Sequence, residues 1–300
     1  MRKFKAIKVY LILLLLPIIL CISCRESDVN MPNNILVIST FNMSWLGDGY
    51  NDMNPRSEDD YKYFAEIISD MKSDIVACQE IENDKAIKKI LRYLPNYNFK
   101  ISDGGNAQKV AIIYKNGLQV SNVREIKELE MPNGKLRPGL VFYAKNGNFD
   151  FEIVNIHLKA TSSYDNTEEK VIASRETRKQ QIKILNDWIN NYLASSKERD
   201  IIVLGDYNDT PKRKIENTLL EMLNNSNISF ITADLKSCGK YQNSYVIDNI
   251  AVTSSVLNRL VPKSLSKYDI FSAYSREVAN KISDHCPISA SFDCSMPDND

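Results

Sequence analysis

The stretch Ile201-Ile202-Val203-Leu204-Gly205-Asp206-Tyr207-Asn208 decides how the rest of this chain is read. Four consecutive aliphatic residues describe a short buried strand, and a glycine ends the run before two polar side chains, Asp206 and Asn208. A strand of this kind carries reactive groups to the rim of a sheet. The same pattern recurs at Thr40-Phe41-Asn42, Cys78-Gln79-Glu80, Asn155-Ile156-His157-Leu158-Lys159, Ile247-Asp248-Asn249-Ile250 and Ser283-Asp284-His285-Cys286-Pro287. The 300 residues include only two histidines, and both fall in these segments, which favours chemistry over packing.

Working outward, the pattern alternates strands with long helices. Strands are predicted at 35–39, 75–78, 97–102, 110–115, 118–127, 136–145, 149–157, 201–204, 245–253 and 287–292. Asn146-Gly147 reads as a hairpin turn, because both residues tolerate a positive φ. One helix is predicted over 58–72, with Tyr61, Phe64, Ala65, Ile68 and Met71 at helical spacing. A second is capped by Asn83 or Asp84, carries Ile87, Ile90, Leu91 and Leu94, and stops at Pro95. A third, over 167–194, has Ile172, Ile182, Leu185, Trp188, Ile189 and Tyr192 as its apolar face.

Some 43% of the residues are hydrophobic, enough to bury a substantial single core. Lys plus Arg equals Asp plus Glu at 38 each, but Arg2, Lys3, Lys5 and Lys8 belong to an N-terminal stretch without acids. Removing residues 1–23 leaves 34 basic against 38 acidic residues, a net charge of −4. That balance argues against a protein that coats nucleic acid through a broad basic surface. A nuclease that needs only a local positive patch and a metal remains open.

The N-terminus reads as a targeting segment: a basic start, an apolar run over 9–22 broken by Pro17, then Ser23-Cys24. It resembles a bacterial lipoprotein signal, although Cys21 stands where that pattern usually has Leu. The resemblance implies cleavage before Cys24, lipid attachment to its thiol and, from Arg25, sorting to the outer membrane of a Gram-negative cell envelope. The alternatives are an ordinary signal peptide of a secreted protein or an uncleaved anchor. The expected organisation is signal peptide 1–23, tether 24–34, catalytic domain 35–293 and tail 294–300, in a monomer. Cys78, Cys238, Cys286 and Cys294 remain for two disulfides of open pairing, or for buried free thiols. Cys286 and Cys294 are too far apart to bond on one straight strand, where eight residues span about 26 Å. No C-x-x-C pair accompanies the histidines, which disfavours zinc.

Taken in order, the polar-ended segments resemble the endonuclease/exonuclease/phosphatase superfamily, the metal-dependent phosphodiesterases that include DNase I, abasic-site endonucleases, sphingomyelinases and inositol polyphosphate 5-phosphatases. The resemblance runs from about residue 35 to residue 292. It implies a DNase I-like four-layer α/β/β/α sandwich, two packed mixed sheets with helices outside.

Phosphodiester hydrolysis needs a charged transition state stabilised, a proton taken from water and a leaving oxygen relieved of charge. Hard oxygen ligands suit Mg²⁺, with Mn²⁺ or Ca²⁺ as alternatives. Glu80 is the expected ligand, with Asn42 and Asp284 as partners. His285 is expected to handle the proton with Asp248 orienting it, although family resemblance also allows Asp206 as the base. Asn208 and His157 are expected at the phosphate. Arg137 takes the place of a phosphate-contacting arginine in DNase-like members, or is a surface arginine. Lys159 faces the scissile group or solvent, while Arg175, Arg178 and Gln181 resemble an Arg-rich helix start in bacterial members of the family or, equally, form an exposed helix face.

Two departures bear on substrate. Ser44 stands where abasic-site endonucleases have an acid, and the 162–169 segment around Tyr164 lacks the basic-aromatic pattern of a duplex clamp. The expectation is an exported nuclease acting on extracytoplasmic nucleic acid. The second reading is a phosphodiesterase or phosphatase for lipid head groups or sugar phosphates. A catalytically dead binding protein comes third, because every expected polar position is filled.

Overall fold

The computed structural model of the chain describes residues 34–132, 134–298 and 300; the targeting segment and Cys24 lie outside them. In chain order the strands are β1 (Ile35–Leu46), β2 (Ile75–Ile81), β3 (Tyr97–Ile101), β4 (Lys109–Lys115), β5 (Gln119–Ile126) and β6 (Gly139–Asn146). They continue as β7 (Phe149–His157), β8 (Ile201–Asp206), β9 (Ile228–Phe230), β10 (Asp248–Thr253), β11 (Ser266–Lys267) and β12 (Ile288–Asp293). The main helices are α1 (Glu58–Asp70), α2 (Asp84–Leu91) and α3 (Glu168–Ser195).

The strands form two six-stranded mixed sheets, ordered β11-β12-β1-β2-β4-β3 and β5-β6-β7-β8-β10-β9. Alternate residues point to opposite faces of a strand, so β1 and β2 send Leu36, Ile38, Ile75 and Ala77 inward. There they meet Phe142, Phe151, Ile153, Ile202, Leu204 and Ile250 of the other sheet. Val76 and Cys78 point outward beneath α1 and α2, which add Phe64, Ile68, Ile87 and Ile90. Val154, Val203 and Ala251 pack in the same way against Ile182, Leu185 and Ile189 of α3. Each fully buried Ile, Leu or Phe stabilises the sandwich by about 1.5–3 kcal/mol. The result is the expected four-layer α/β/β/α fold.

Local signals start the helices where expected. Ser57 accepts from the Asp60 amide while the Asp60 carboxylate accepts from the Ser57 amide, a capping box for α1. Asn83, rather than Asp84, caps α2 through the Ala86 amide, and Thr167 caps α3 through that of Lys170.

Some boundaries differ from expectation. Strand β1 continues to Leu46, carrying Asn42 inside its length, and β6 begins only at Gly139, after Arg137 and Pro138. Ile172 is exposed, because the first turns of α3 reach past the sheet towards loops and bury Ser174, Arg178 and Gln181 instead. The short elements β9, β11 and Arg276–Ile282 were not anticipated; they are too brief to show a period.

Strand direction brings the polar ends together. Strands β1 and β2 are parallel, as are β7 and β8, so Asn42 within β1, Glu80 near the end of β2, and His157 and Asp206 at the ends of β7 and β8 lie at one end of the sandwich. Strand β10 is antiparallel to β8 and β12 to β1, so Asp248 and the residues just before Ile288 start at that same end.

Candidate active site

Backbone strain shapes the rim. Gly205 has φ +140°, and a Cβ there would meet the Ile156 carbonyl oxygen at 2.0 Å, so only glycine lets β8 lie this close to β7. Glu80 has φ +60° at an irregularity between Cys78 and Ile81, a conformation that costs a non-glycine residue about 1–2 kcal/mol. It turns the carboxylate to accept from Asn42 Nδ2 at 3.2 Å and from the Trp45 amide at 3.1 Å. Asn208, at φ +52°, closes the turn after β8 by donating its amide N–H to Asp206 Oδ1.

In register, His157 stands opposite Asp206, and Asp206 opposite Asp248. Asp248 Oδ2 lies 2.7 Å from His285 Nδ1, joining a residue of the second sheet to one that leads into the first. Asn42 Nδ2 also donates to Asp206 Oδ2 at 3.0 Å. His157 Nε2 is 3.6 Å from Asp206 Oδ2 and 3.8 Å from Glu80 Oε1. The half-exposed Asp284 places Oδ1 3.9 Å from His285 Nε2. Every expected polar residue of the six segments is therefore at one end of the molecule.

Several roles differ from those expected. Asn42 Oδ1 accepts from the Ser44 amide, and its Nδ2 donates to Glu80 and Asp206, so here it stands as a donor between acids. Asn208 Nδ2 donates to the Leu158 carbonyl. Arg137 is buried rather than a surface arginine; its Nε and Nη2 donate to the His157 and Leu158 carbonyls at 3.1 and 2.7 Å, and its charge acts on Glu80 and Asp206. These bonds hold the end of β7. Lys159 neither faces solvent nor stands free, since its Nζ is taken by the Ala160 carbonyl and Asp165.

Sequence reasoning missed a supporting layer. Gln79 and Asn155 are fully buried between the sheets, where Gln79 Nε2 donates to Asn155 Oδ1 at 2.7 Å and Asn155 Nδ2 to the Cys78 and Ala111 carbonyls. The signal was present, for each is a lone amide inside an apolar run. An exposed helix face does not hold for Arg178, which is buried and bonds the Lys159 carbonyl and Thr218. Gln181 accepts from the Lys159 amide and donates to the Leu129 carbonyl. Nothing in the helical period marks these two, because the loops they hold come from elsewhere in the chain.

The electrostatics are those of a crowded acidic site. Burial pushes Asp206 up to about 7, with Asp248 adding to the shift. Burial raises Glu80 as well, against the opposing effects of the Asn42 bond, His285 and Arg137. Burial and then Arg137 hold His157 far below the usual imidazole range, so it is neutral. Burial opposes charge on His285, but Asp248, and then Asp206 and Asp284, outweigh it and raise its pKa. Burial brings Arg137 down to about 10. Among the described residues, the buried Asp248 Oδ1 and His157 Nδ1 have no hydrogen-bond partner. Carboxylate oxygens held in excess of cations, with an orphaned oxygen among them, fit a hard divalent cation. Among the described residues at this end, Asp206, Asp248 and His285 bring one ligand atom each within 4.8 Å of one another, a group that could hold such an ion, and the orphaned oxygen is one of theirs.

This fold and its ring of acids and imidazoles define a DNase I-like α/β sandwich with a phosphoryl-chemistry end. The chain belongs to the Endonuclease/Exonuclease/phosphatase family, whose sequence profile matches residues 39–281. A search of curated proteins finds no match. Among solved structures, truncated Caenorhabditis elegans TDP2 superposes with a TM-score of 0.63 at 17% identity, over 86% of this chain and 97% of that one. The Bacteroides thetaiotaomicron mannosyl-6-phosphatase gives 0.56 at 16% identity, over 85% and 98% of the two chains. The human Nocturnin catalytic domain, solved with a bound sulfate anion, gives 0.55 at 15% identity, over 87% and 94%. At these identities the likeness is one of fold.

Proposed function

We propose that this protein is an exported, divalent-metal-dependent hydrolase of phosphate esters, acting on the phosphodiesters of extracytoplasmic nucleic acid. The observation that carries the hydrolase reading is the ordered contact His157, Asp206, Asp248, His285 across the two sheets. Asp248 holds Nδ1 of His285 and leaves Nε2 directed to the side where Asp284 and solvent lie. From there Nε2 takes the proton of the attacking water or meets the phosphate. Neutral His157 offers an N–H to a non-bridging oxygen. A divalent cation among Glu80, Asp206 and Asp284, Mg²⁺ by ligand type, would neutralise developing charge on the phosphoryl oxygens.

One observation favours a second substrate class. Arg137 was the expected contact to a polynucleotide backbone, and its bonds to the His157 and Leu158 carbonyls turn it to internal support. A small phosphorylated sugar or lipid head group needs no such contact. Residues 25–300 should be incubated with plasmid DNA, RNA, sphingomyelin, inositol phosphates and a mannose 6-phosphate. Nicking of plasmid with Mg²⁺ supports the nuclease; release of phosphate or head group without nicking reverses the order. Anchoring is tested separately with Cys24→Ser, which should leave the membrane fraction at unchanged specific activity. Among the described residues no helix is long and apolar enough to cross a membrane.

A further inference from the structure

The active-site pair spans the two sheets, since Asp248 opens β10 of one and His285 precedes β12 of the other. Noncovalent restraint on the His285 segment includes the Ser283 amide donating to the Ala279 carbonyl at 3.1 Å and the Tyr268 amide donating to the Pro287 carbonyl at 2.9 Å. The His285 amide bonds Ser283 Oγ at 3.0 Å, and Ser283 Oγ bonds the Asn42 carbonyl at 2.7 Å. Pro287 has no N–H to donate, and the ladder with β1 resumes only where Ile288 meets Thr40. None of these ties reaches the second sheet, which His285 meets through Asp248.

Asp248 is reached through a hairpin in which Lys236 pairs with Tyr245 and the Ser237 amide bonds the Ser244 carbonyl. The hairpin tip, residues 240–244, is exposed, whereas Cys238 is fully buried. Beside it, Gly239 at φ +55° lies so close to Phe271 that a Cβ would meet the ring at 2.8 Å. Cys238 is bonded to Cys286, which follows His285 directly; Cys78 and Cys294 are buried free thiols. One covalent bond therefore joins the hairpin that delivers Asp248 to the residue next to His285.

We propose that the Cys238–Cys286 disulfide is a positioning element for the His285–Asp248 pair, so that reducing it slows the hydrolytic step without loosening substrate binding. The proposal rests on the hydrolase reading. It also makes activity depend on an oxidising compartment, where such bonds persist.

The test compares wild type with the Cys238→Ser/Cys286→Ser variant, each with and without Asp248→Asn, and repeats the comparison on wild type treated with dithiothreitol. Loss of the bond should lower kcat at least about 10-fold with KM within about 2-fold, and should change kcat by less than about 2-fold once Asp248→Asn is present. Equal losses in both backgrounds, or no loss, overturn the proposal. So does global unfolding of both the variant and the reduced protein by circular dichroism, which would make the bond a stability element. A readout independent of substrate is the downfield proton resonance of the His285 N–H held by Asp248, assigned by its absence in Asp248→Asn. It should be present in the oxidised protein and lost on reduction; persistence overturns the proposal. Failure of the hydrolase reading looks different: oxidised wild type would cleave no phosphate ester while the resonance still responded to reduction.

Discussion

Asp206 and Asp248 face each other across the β8–β10 ladder, two acids opposed at the point where His285 bonds Asp248 and Asn42 bonds Asp206. Like charges so placed repel, and Asp206, the more buried, is pushed up to about 7, by burial first and Asp248 second. The arrangement splits two carboxylates into an orienting partner for an imidazole and a site acid whose charge is strongly disfavoured until a cation arrives.

The proton-handling pair can be tested by non-additivity. His285→Ala and Asp248→Asn should each lower kcat by at least about 10² with the fold intact, and the double variant should fall no further than the worse single one. Steady-state kinetics on all three decide it. A double variant that falls by the product of the single effects would transfer the base role to Asp206.

Glu80 joins Asn42 and the Trp45 amide at the strained end of β2, which fixes the carboxylate proposed to hold a cation. Activity should vanish with chelator and return with Mg²⁺, and Glu80→Gln should raise the Mg²⁺ needed for half-maximal rate by at least about tenfold. Full turnover after exhaustive EDTA treatment would rule the metal out.

Stability of the metal-free protein should depend on pH through the same acids. Asp206 at about 7, and Glu80 in the same direction, hold protons in the folded state that the unfolded chain has released. Their contribution is present below the unfolded value of about 4 and is lost as pH rises towards the folded value. His285, also raised, acts in the same sense, contributing below the unfolded imidazole value of about 6.5 and losing that contribution as pH rises through its folded one. In EDTA the melting temperature of wild type should fall between pH 5 and pH 8 (roughly the window of these shifts) more than that of Asp206→Asn, and Mg²⁺ should restore it. Parallel profiles for the two proteins would refute the assignment.

Arg137 separates a structural from a substrate role. Because its donors hold the His157 and Leu158 carbonyls, Arg137→Ala should destabilise the fold by about 2–3 kcal/mol, as for loss of charge-assisted bonds to buried acceptors. The slope of log affinity for polynucleotide against log salt should not change. A slope reduced by about one phosphate contact with unaltered stability would restore the direct contact.

The sequence by itself determined the fold class and marked the polar residues that the fold gathers at one end, and the reason is physical. Buried strands must be written as apolar runs, so a polar side chain that ends or interrupts one, as Asp206, Glu80 and His157 do, stands out without a structure. The cap of α2 was equally legible as Asn83 or Asp84, being local. Only the tertiary structure decided the partners. That Asn42 donates between two acids, that Arg137 and Arg178 brace loops, and that Cys238 bonds Cys286 depend on contacts between residues 20 to 164 positions apart. Such contacts are set by sheet order and strand direction, which no local period encodes. Burial does the rest, turning carboxyl groups that are ordinary in the unfolded chain into the raised, crowded acids of the folded site.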